Sequence, residues 1–477
     1  MKSVATKAVL FILLAVSGTI FFTLARGVSE GAPPAAPAAA ADPAAAQDLI
    51  APAPAASPAA APSSRSAERA AMAGDELVIG LNIPLSGPYK AQGEDQKMGY
   101  DLALELINKK GGLLGKKVRA VVKDTENNPA KAQQNTLEMI WNDNACMISG
   151  GCSSAEAVAV GEECQKQGVV FMTGLTHAND TTGHTVTPAG FTVQTAHRHT
   201  FRWFLNAWMS ANALAPYLAD EFGKGANYVY ITSDYNWGHS VEESMRRFLE
   251  IKGADTLDSI PVPLGAKDYT DALKRAKKSK ADILVLVLFG EDQVTAVKQA
   301  HEMGLDKKMQ LVVPIVDMYM AHEIGAKTFQ GIISTAIWDW TLEDTYPGSK
   351  AFVEAFRAKY GKPPGVSAAC AWVAINQWAD AVNRVKDPFA DDKIILALEG
   401  DGEGGHGHKF TLLKGEEQWR DWDHQCISSV YIVRGKKPSK AKSEWDFFEI
   451  VKEVPGLKVM QTREENPVSL EPLVIEE

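Results

Sequence analysis

Five cysteines in 477 residues are few: Cys146, Cys152, Cys164, Cys370 and Cys426. None forms a C-x-x-C pair, and the odd number leaves at least one thiol free. A helix predicted between Cys152 and Cys164 spans about 18 Å at its usual rise, beyond the reach of a disulfide. Cys146 could face either, and the sequence leaves the pairing open. Positive charge is also short. Forty-nine Lys and Arg stand against 59 Asp and Glu, a net charge of −10, which argues against a nucleic-acid partner or a polybasic membrane face. Catalytic signatures are missing too: no G-x-S-x-G elbow, no H-E-x-x-H pair and no G-x-x-x-x-G-K-[ST] loop. His177 near Ser153 is the one arrangement that imitates a nucleophile and its base, so no enzyme activity is expected. His406 and His408 alternate in a glycine-rich loop, but no second ligand pair stands nearby. Neither a metal nor a cofactor is expected.

What is there begins with an address. Lys2 and Lys7 precede an apolar run from Ala8 to Ala25. A positive start followed by such a run predicts export to the periplasm. Residues 1–26 are read as a signal peptide, cleaved or retained as a signal anchor in the inner membrane; the run borders on spanning length. Residues 27–75 are rich in Ala and Pro, have little to bury, and are read as a disordered linker.

From Glu76 the pattern alternates strand and helix. Leu77 to Ile83 is a continuous apolar run, typical of a strand buried on both faces. Strands at Val118–Lys123, Ala145–Ser149 and Gly168–Met172 follow, with helices between them. A long helix over Thr200–Glu221 opens a second series, with strands at Ala226–Thr232, Ala281–Phe289 and Gln310–Pro314. The fold class is therefore α/β: two Rossmann-like lobes with mainly parallel sheets, hinged around a central cleft. Residues 76–194 with 331–412 form one lobe, and 195–330 with 413–454 the other. Hinges are expected near Gln194–His199, Thr328–Ser334 and Leu412. Residues 455–477 are read as a loosely ordered tail.

In this architecture ligands bind outside the carboxyl ends of the strands. Those ends offer Pro84–Tyr89, Gly151–Ser154, Thr173–His177, Asp234–Trp237, Phe289–Glu291 and Val316–Asp317. Ser153 and Ser154 open a helix, where unpaired N–H groups and the dipole favour an anion; they are also ordinary N-cap residues. Tyr89 and Trp237 could equally be half-buried rim aromatics, and Asp317 a helix cap. Taken together, hydroxyls, aromatics and a carboxylate suit a small molecule shaped like an amino acid.

Several stretches carry a resemblance. Leu85-Ser-Gly-Pro-Tyr-Lys-Ala-Gln-Gly93, Ile107-Asn-Lys-Lys-Gly-Gly112, Asp124 with Asn128-Pro-Ala-Lys-Ala132, and Gly151-Cys-Ser-Ser154 follow one another in order. Asp234-Tyr-Asn-Trp-Gly238, Lys267-Asp-Tyr269 and Ala281-Asp282 continue the series. Over about residues 76–435 the chain resembles the type I periplasmic binding proteins of branched-chain amino acid uptake. The resemblance implies an extracytoplasmic receptor that hands a small amino acid, amide or other carboxylate to the membrane subunits of an ABC importer. It implies that Ser153, with Ser154, receives the ligand carboxylate. Leu175 would contribute backbone, and Thr176 or His177 a side chain. Asp317 would be the acidic partner, and Tyr89, Trp237 and Phe289 the aromatic walls. A cysteine that the family carries near Asp124 is absent, and the fourth-strand turn reads Gly-Leu-Thr-His, which departs from a site built for a branched aliphatic side chain. A membrane-tethered ligand sensor of the same fold is the alternative.

Overall fold

The computed structural model describes residues 62–187, 189–400 and 407–473. The expected signal segment, the linker up to residue 61, and His406 lie outside the described residues. Among the described residues no helix is long and apolar enough to cross a membrane.

The first sheet comprises β1 (Glu76–Ile83), β2 (Lys117–Asp124), β3 (Ala145–Gly150), β4 (Phe171–Thr173) and, after a small hairpin of β5 (His184–Val186) and β6 (Thr192–Gln194), β7 (Thr200–Phe201). Its order is β2-β1-β3-β4-β7, and every pairing is parallel. All residues of β3, and all but the first of β1, are buried, which is why these strands read as unbroken apolar runs. The second sheet takes β8 (Asn227–Ser233), β9 (Asp255–Val262), β10 (Ile283–Val287), β11 (Gln310–Ile315) and β12 (Ile333–Ala336). A small three-stranded sheet of β13 (Lys409–Phe410), β14 (Glu417–Trp419) and β15 (Cys426–Ile427) follows, before β16 (Val430–Gly435) and β17 (Phe448–Val454) close the second sheet. That sheet runs β17-β16-β12-β11-β10-β8-β9, parallel from β12 to β9 and antiparallel at its last two strands.

The helices are α1 (Pro62–Ala71), α2 (Lys90–Lys109), α3 (Pro129–Trp141), α4 (Ser154–Gln167), α5 (Ala207–Phe222), α6 (Asn236–Ile251), α7 (Thr270–Ser279), α8 (Glu291–Glu302), α9 (Met318–Ile324), α10 (Ala326–Phe329), α11 (Pro347–Tyr360), α12 (Val366–Val385) and α13 (Asp391–Glu399). Their starts follow from local chemistry. Asn128, Asn206 and Asp317 accept N–H bonds from the first turns of α3, α5 and α9. The long α12 returns to the first lobe and packs along α2. At that crossing a Cβ on Gly99 would lie 2.4 Å from the Ala368 carbonyl oxygen, so only glycine fits. Asp95 fastens the crossing by accepting the N–H groups of Gly365 (3.2 Å) and Ala368 (2.8 Å) at the start of α12.

Four expectations need correction. Residues 200–206 are not helical: Thr200 and Phe201 pair with β4, Arg202 bridges to Gln425, and the helix starts only at the Asn206 cap. The segment from 331 does not join the first lobe, because β12 sits between β11 and β16 in the second sheet; the return follows Ala336. The expected linker ends earlier than 75. Helix α1 packs on the first lobe, and its fully buried Arg69 donates to the carbonyls of Ala145 and Gly168 and pairs with Asp391. Finally, 455–473 is no loose tail. It leaves β17, meets α5 through Asn212 and Lys458, and then bonds Thr182, Gln194, His197 and Arg198 of the first lobe. All five cysteines are free and buried.

Candidate functional site

The first-lobe side is built by two turns that pack edge to edge. Gly174 N–H donates to the Gly150 carbonyl (2.8 Å) and Leu175 N–H to that of Gly151 (3.0 Å). A Cβ at Gly174 would come within 2.3 Å of the Gly151 oxygen, so the turns touch only because that residue has no side chain. Ser153 is the N-cap of α4 in extended conformation (φ −72°, ψ 129°), yet its side chain makes no capping bond. Its hydroxyl is thus uncommitted at a helix N-terminus. Ser154 does different work: its Oγ accepts from His177 N–H (3.2 Å) and Ala178 N–H (3.0 Å), pinning the second turn to α4. Thr176 is fully buried, and its Oγ1 has no hydrogen-bond partner.

The second-lobe side closes directly upon this. Tyr89 Oη and Tyr235 Oη are 2.8 Å apart, and the Tyr89 ring lies 6.0 Å from that of Phe289. Trp237 stands 6.4 Å from Phe289 and 5.9 Å from Tyr235. The lobes approach so closely that a Cβ on Gly290 would lie 2.6 Å from the Pro88 oxygen. Tyr89, Ser153, Ser154, Leu175, Thr176, His177, Trp237, Phe289 and Asp317 are all buried, the most open of them at 6%. Of these expected residues, Tyr89, His177, Trp237, Phe289 and Asp317 make contacts across the two lobes, while Ser153, Ser154, Leu175 and Thr176 lie in the first-lobe turns beside them.

Tyr89, Ser154, His177, Trp237 and Asp317 are already engaged. Trp237 Nε1–H donates to His177 Nδ1 (3.1 Å), which leaves the imidazole proton on Nε2, 3.0 Å from Ser210 Oγ. That hydroxyl donates onward to the Ala207 carbonyl (3.0 Å). Burial, and then the Arg202 charge, push the His177 pKa well down, so the ring is a neutral crosspiece between the lobes with both nitrogens spent. Asp317 caps α9 through Oδ1 (Met320 N–H, 2.8 Å) and takes Gln92 Nε2–H on Oδ2 (2.7 Å). Burial raises its pKa.

Residue-by-residue reading missed Tyr235, Gln92, Gln96 and Glu156. Gln92 and Gln96 follow Tyr89 at helical spacing and meet Asp317 and the Gly151 carbonyl, so periodicity from Tyr89 was the available signal. Glu156 is the third residue after Ser153, the spacing of a capping box. Buried beneath the turn, with neither carboxyl oxygen hydrogen-bonded, it is pushed up to about 7 by desolvation. Among the described residues no group of three or more His, Cys, Asp or Glu is placed to hold a metal ion.

Comparison with known proteins adds to this geometry. The family profile described as "Periplasmic binding protein" matches residues 76–442. A "Leu/Ile/Val-binding protein homolog 7" of Brucella abortus is 27% identical over 375 residues, which cover 74% of this chain and 91% of that protein. A "Leucine-, isoleucine-, valine-, threonine-, and alanine-binding protein" of Pseudomonas aeruginosa is 21% identical, covering 69% and 83%. Among solved structures, a periplasmic binding protein of Burkholderia mallei superposes with a TM-score of 0.74 at 23% identity, covering 83% of this chain and 99% of that one. A solute binding protein of an ABC transporter from Rhodopseudomonas palustris, in complex with 3,4-dihydroxybenzoic acid, gives 0.69 at 20% identity, covering 80% and 98%. At these identities the solved structures establish the fold.

Proposed function

Since the chain belongs to the periplasmic binding protein family, a family of solute-binding proteins and not of enzymes, we propose that it is the extracytoplasmic receptor of an ABC importer, acting in the periplasm and enclosing a small carboxylate between its lobes. The observation that carries this reading is the uncapped N-terminus of α4, where Ser153 Oγ makes no capping bond, next to a turn in which Thr176 Oγ1 is buried without a partner. A carboxylate at Ser153 would give its hydroxyl a partner while meeting the positive end of the helix dipole. Two ligand types fit the rest of the cleft. Tyr89, Tyr235, Trp237 and Phe289 supply flat surfaces that suit an aromatic acid, the ligand class named for the Rhodopseudomonas structure. Asp317, if an ammonium displaces Gln92 from Oδ2, suits an amino acid, the class named for the Pseudomonas relative.

The test is direct. Ligand released by denaturing the purified protein is identified by mass spectrometry, and calorimetry then compares 4-hydroxybenzoate with L-leucine. Binding of either acid supports the reading. Release of a cationic or uncharged solute, with neither acid bound, refutes it. Recovery of binding protein and bound acid together with ABC membrane subunits would separate transport from sensing.

A further inference from the structure

We propose that Arg202 is the residue that makes the cleft selective for anions: a buried guanidinium among uncharged acceptors, fixed in the hinge against the turn that receives the ligand. This rests on the carboxylate reading above and names the charge behind it.

Arg202 is wholly buried. Its Nη1 donates to the carbonyls of Thr176 (3.3 Å) and Ala178, its Nη2 to Thr182 Oγ1 (2.5 Å), and its Nε to Gln425 Oε1 (2.6 Å). Every one of these acceptors is neutral. The carboxylates that influence it are Asp423 and Asp180, and neither hydrogen-bonds it. Asp423 is clasped by Arg420 and by Asn466, while Asp180 faces Asn236. A charge buried without a hydrogen-bonded counter-ion costs free energy, and burial pulls the Arg202 pKa down to about 9. At neutral pH the guanidinium stays charged. His177, the neighbouring titratable group, is held neutral. A ligand carboxylate arriving at the Thr176 turn would therefore approach a guanidinium that bonds the Thr176 carbonyl, in buried surroundings where attraction is weakly screened. An uncharged ligand of the same shape would gain nothing from it.

The same side chain places that charge. The Arg202 backbone N–H donates to the His424 carbonyl (3.1 Å), and its carbonyl accepts from Cys426 N–H (2.9 Å). Two chain crossings between the lobes are thus stitched together at Arg202 and Gln425. The rigid fork also draws the carbonyls of Thr176 and Ala178 toward the hinge, which keeps two repulsive dipoles away from an incoming anion.

Calorimetry of 4-hydroxybenzoate against 4-hydroxybenzamide, and of L-leucine against L-leucinamide, tests the assignment. In Arg202→Met the affinity for the acid that binds should fall about tenfold or more, while the amide changes little, so the acid-to-amide ratio collapses. Gln425→Glu leaves Arg202 in place but gives it a carboxylate partner, and should depress the same ratio. A purely structural role would lower acid and amide alike and leave the ratio at the wild-type value; that result in both variants overturns the proposal. If Arg202→Met does not fold, the ratio in Gln425→Glu decides alone. If wild-type protein binds neither acid, the carboxylate reading itself fails, which is distinguishable from an acid bound without dependence on Arg202.

Discussion

Ser153 and Ser154 are adjacent and chemically alike, yet the structure assigns them opposite duties. Ser153→Ala should weaken ligand binding by about 1–3 kcal/mol, measured by calorimetry, with the melting temperature nearly unchanged, because its hydroxyl holds nothing in the fold. Ser154→Ala should lower stability by about 1–3 kcal/mol in denaturant melts, because two buried N–H groups lose their acceptor. Glu156 carries a pH dependence. Its carboxyl is raised to about 7 in the folded protein, so the folded state holds a proton that the unfolded chain releases near pH 4.5. Its contribution is present in full below that value and is lost as pH rises to about 7. Glu156→Gln should therefore raise stability by roughly 1–3 kcal/mol at pH 8 and leave it unaltered at pH 4; equal shifts at both would refute the assignment. The serines, the aromatics and Asp317 were legible because they stand at strand ends. Which hydroxyl is free, and that both His177 nitrogens are taken, depends on partners 23 to 60 residues away.

At the scale of elements, apolar runs and caps located most strands and helices. They failed where tertiary pairing outweighed local preference. Trp203, Phe204 and Leu205 read as helix because they are apolar, but Phe201 and Arg202 are claimed by β4 and by Gln425. Helix α1 failed differently: its sequence is that of a polar linker, and it docks through Arg69, which is buried, and Arg65, which donates to Gln167 Oε1 (3.0 Å). Asp391, pushed up to about 6 by burial, faces that guanidinium and also accepts Val170 N–H. Arg69→Met should cost about 3–5 kcal/mol, because it strands a buried carboxylate. It should also expose 62–71 to protease while ligand affinity stays at the wild-type value. Unchanged cleavage and melting would mean that α1 is not docked.

For the whole molecule, a row of bonds links the lobes along the start of α2: Tyr89 to Tyr235, Gln92 to Asp317, and Tyr319 Oη to Asp95 Oδ1 (3.1 Å). Each is a direct protein-to-protein bond across the cleft, so each favours the closed arrangement. Tyr89→Phe combined with Gln92→Leu should open the unliganded molecule, seen as a larger radius of gyration in small-angle X-ray scattering. The segment 455–473 also bonds both lobes. Deleting it removes the bonds of Glu471 to His197 (2.6 Å) and Arg198 (2.9 Å) and should lower the melting temperature.

By itself the sequence determined two α/β lobes, the strand ends that meet in a cleft, and the hydroxyls and rings gathered there, because periodicity and helix starts are local properties of the chain. Only the tertiary structure decided that β12 belongs to the second sheet, that Arg69 bolts α1 to the first lobe, and that Arg202 carries the buried charge of the hinge. Those outcomes depend on pairings between residues as far as 322 positions apart, which no local pattern specifies.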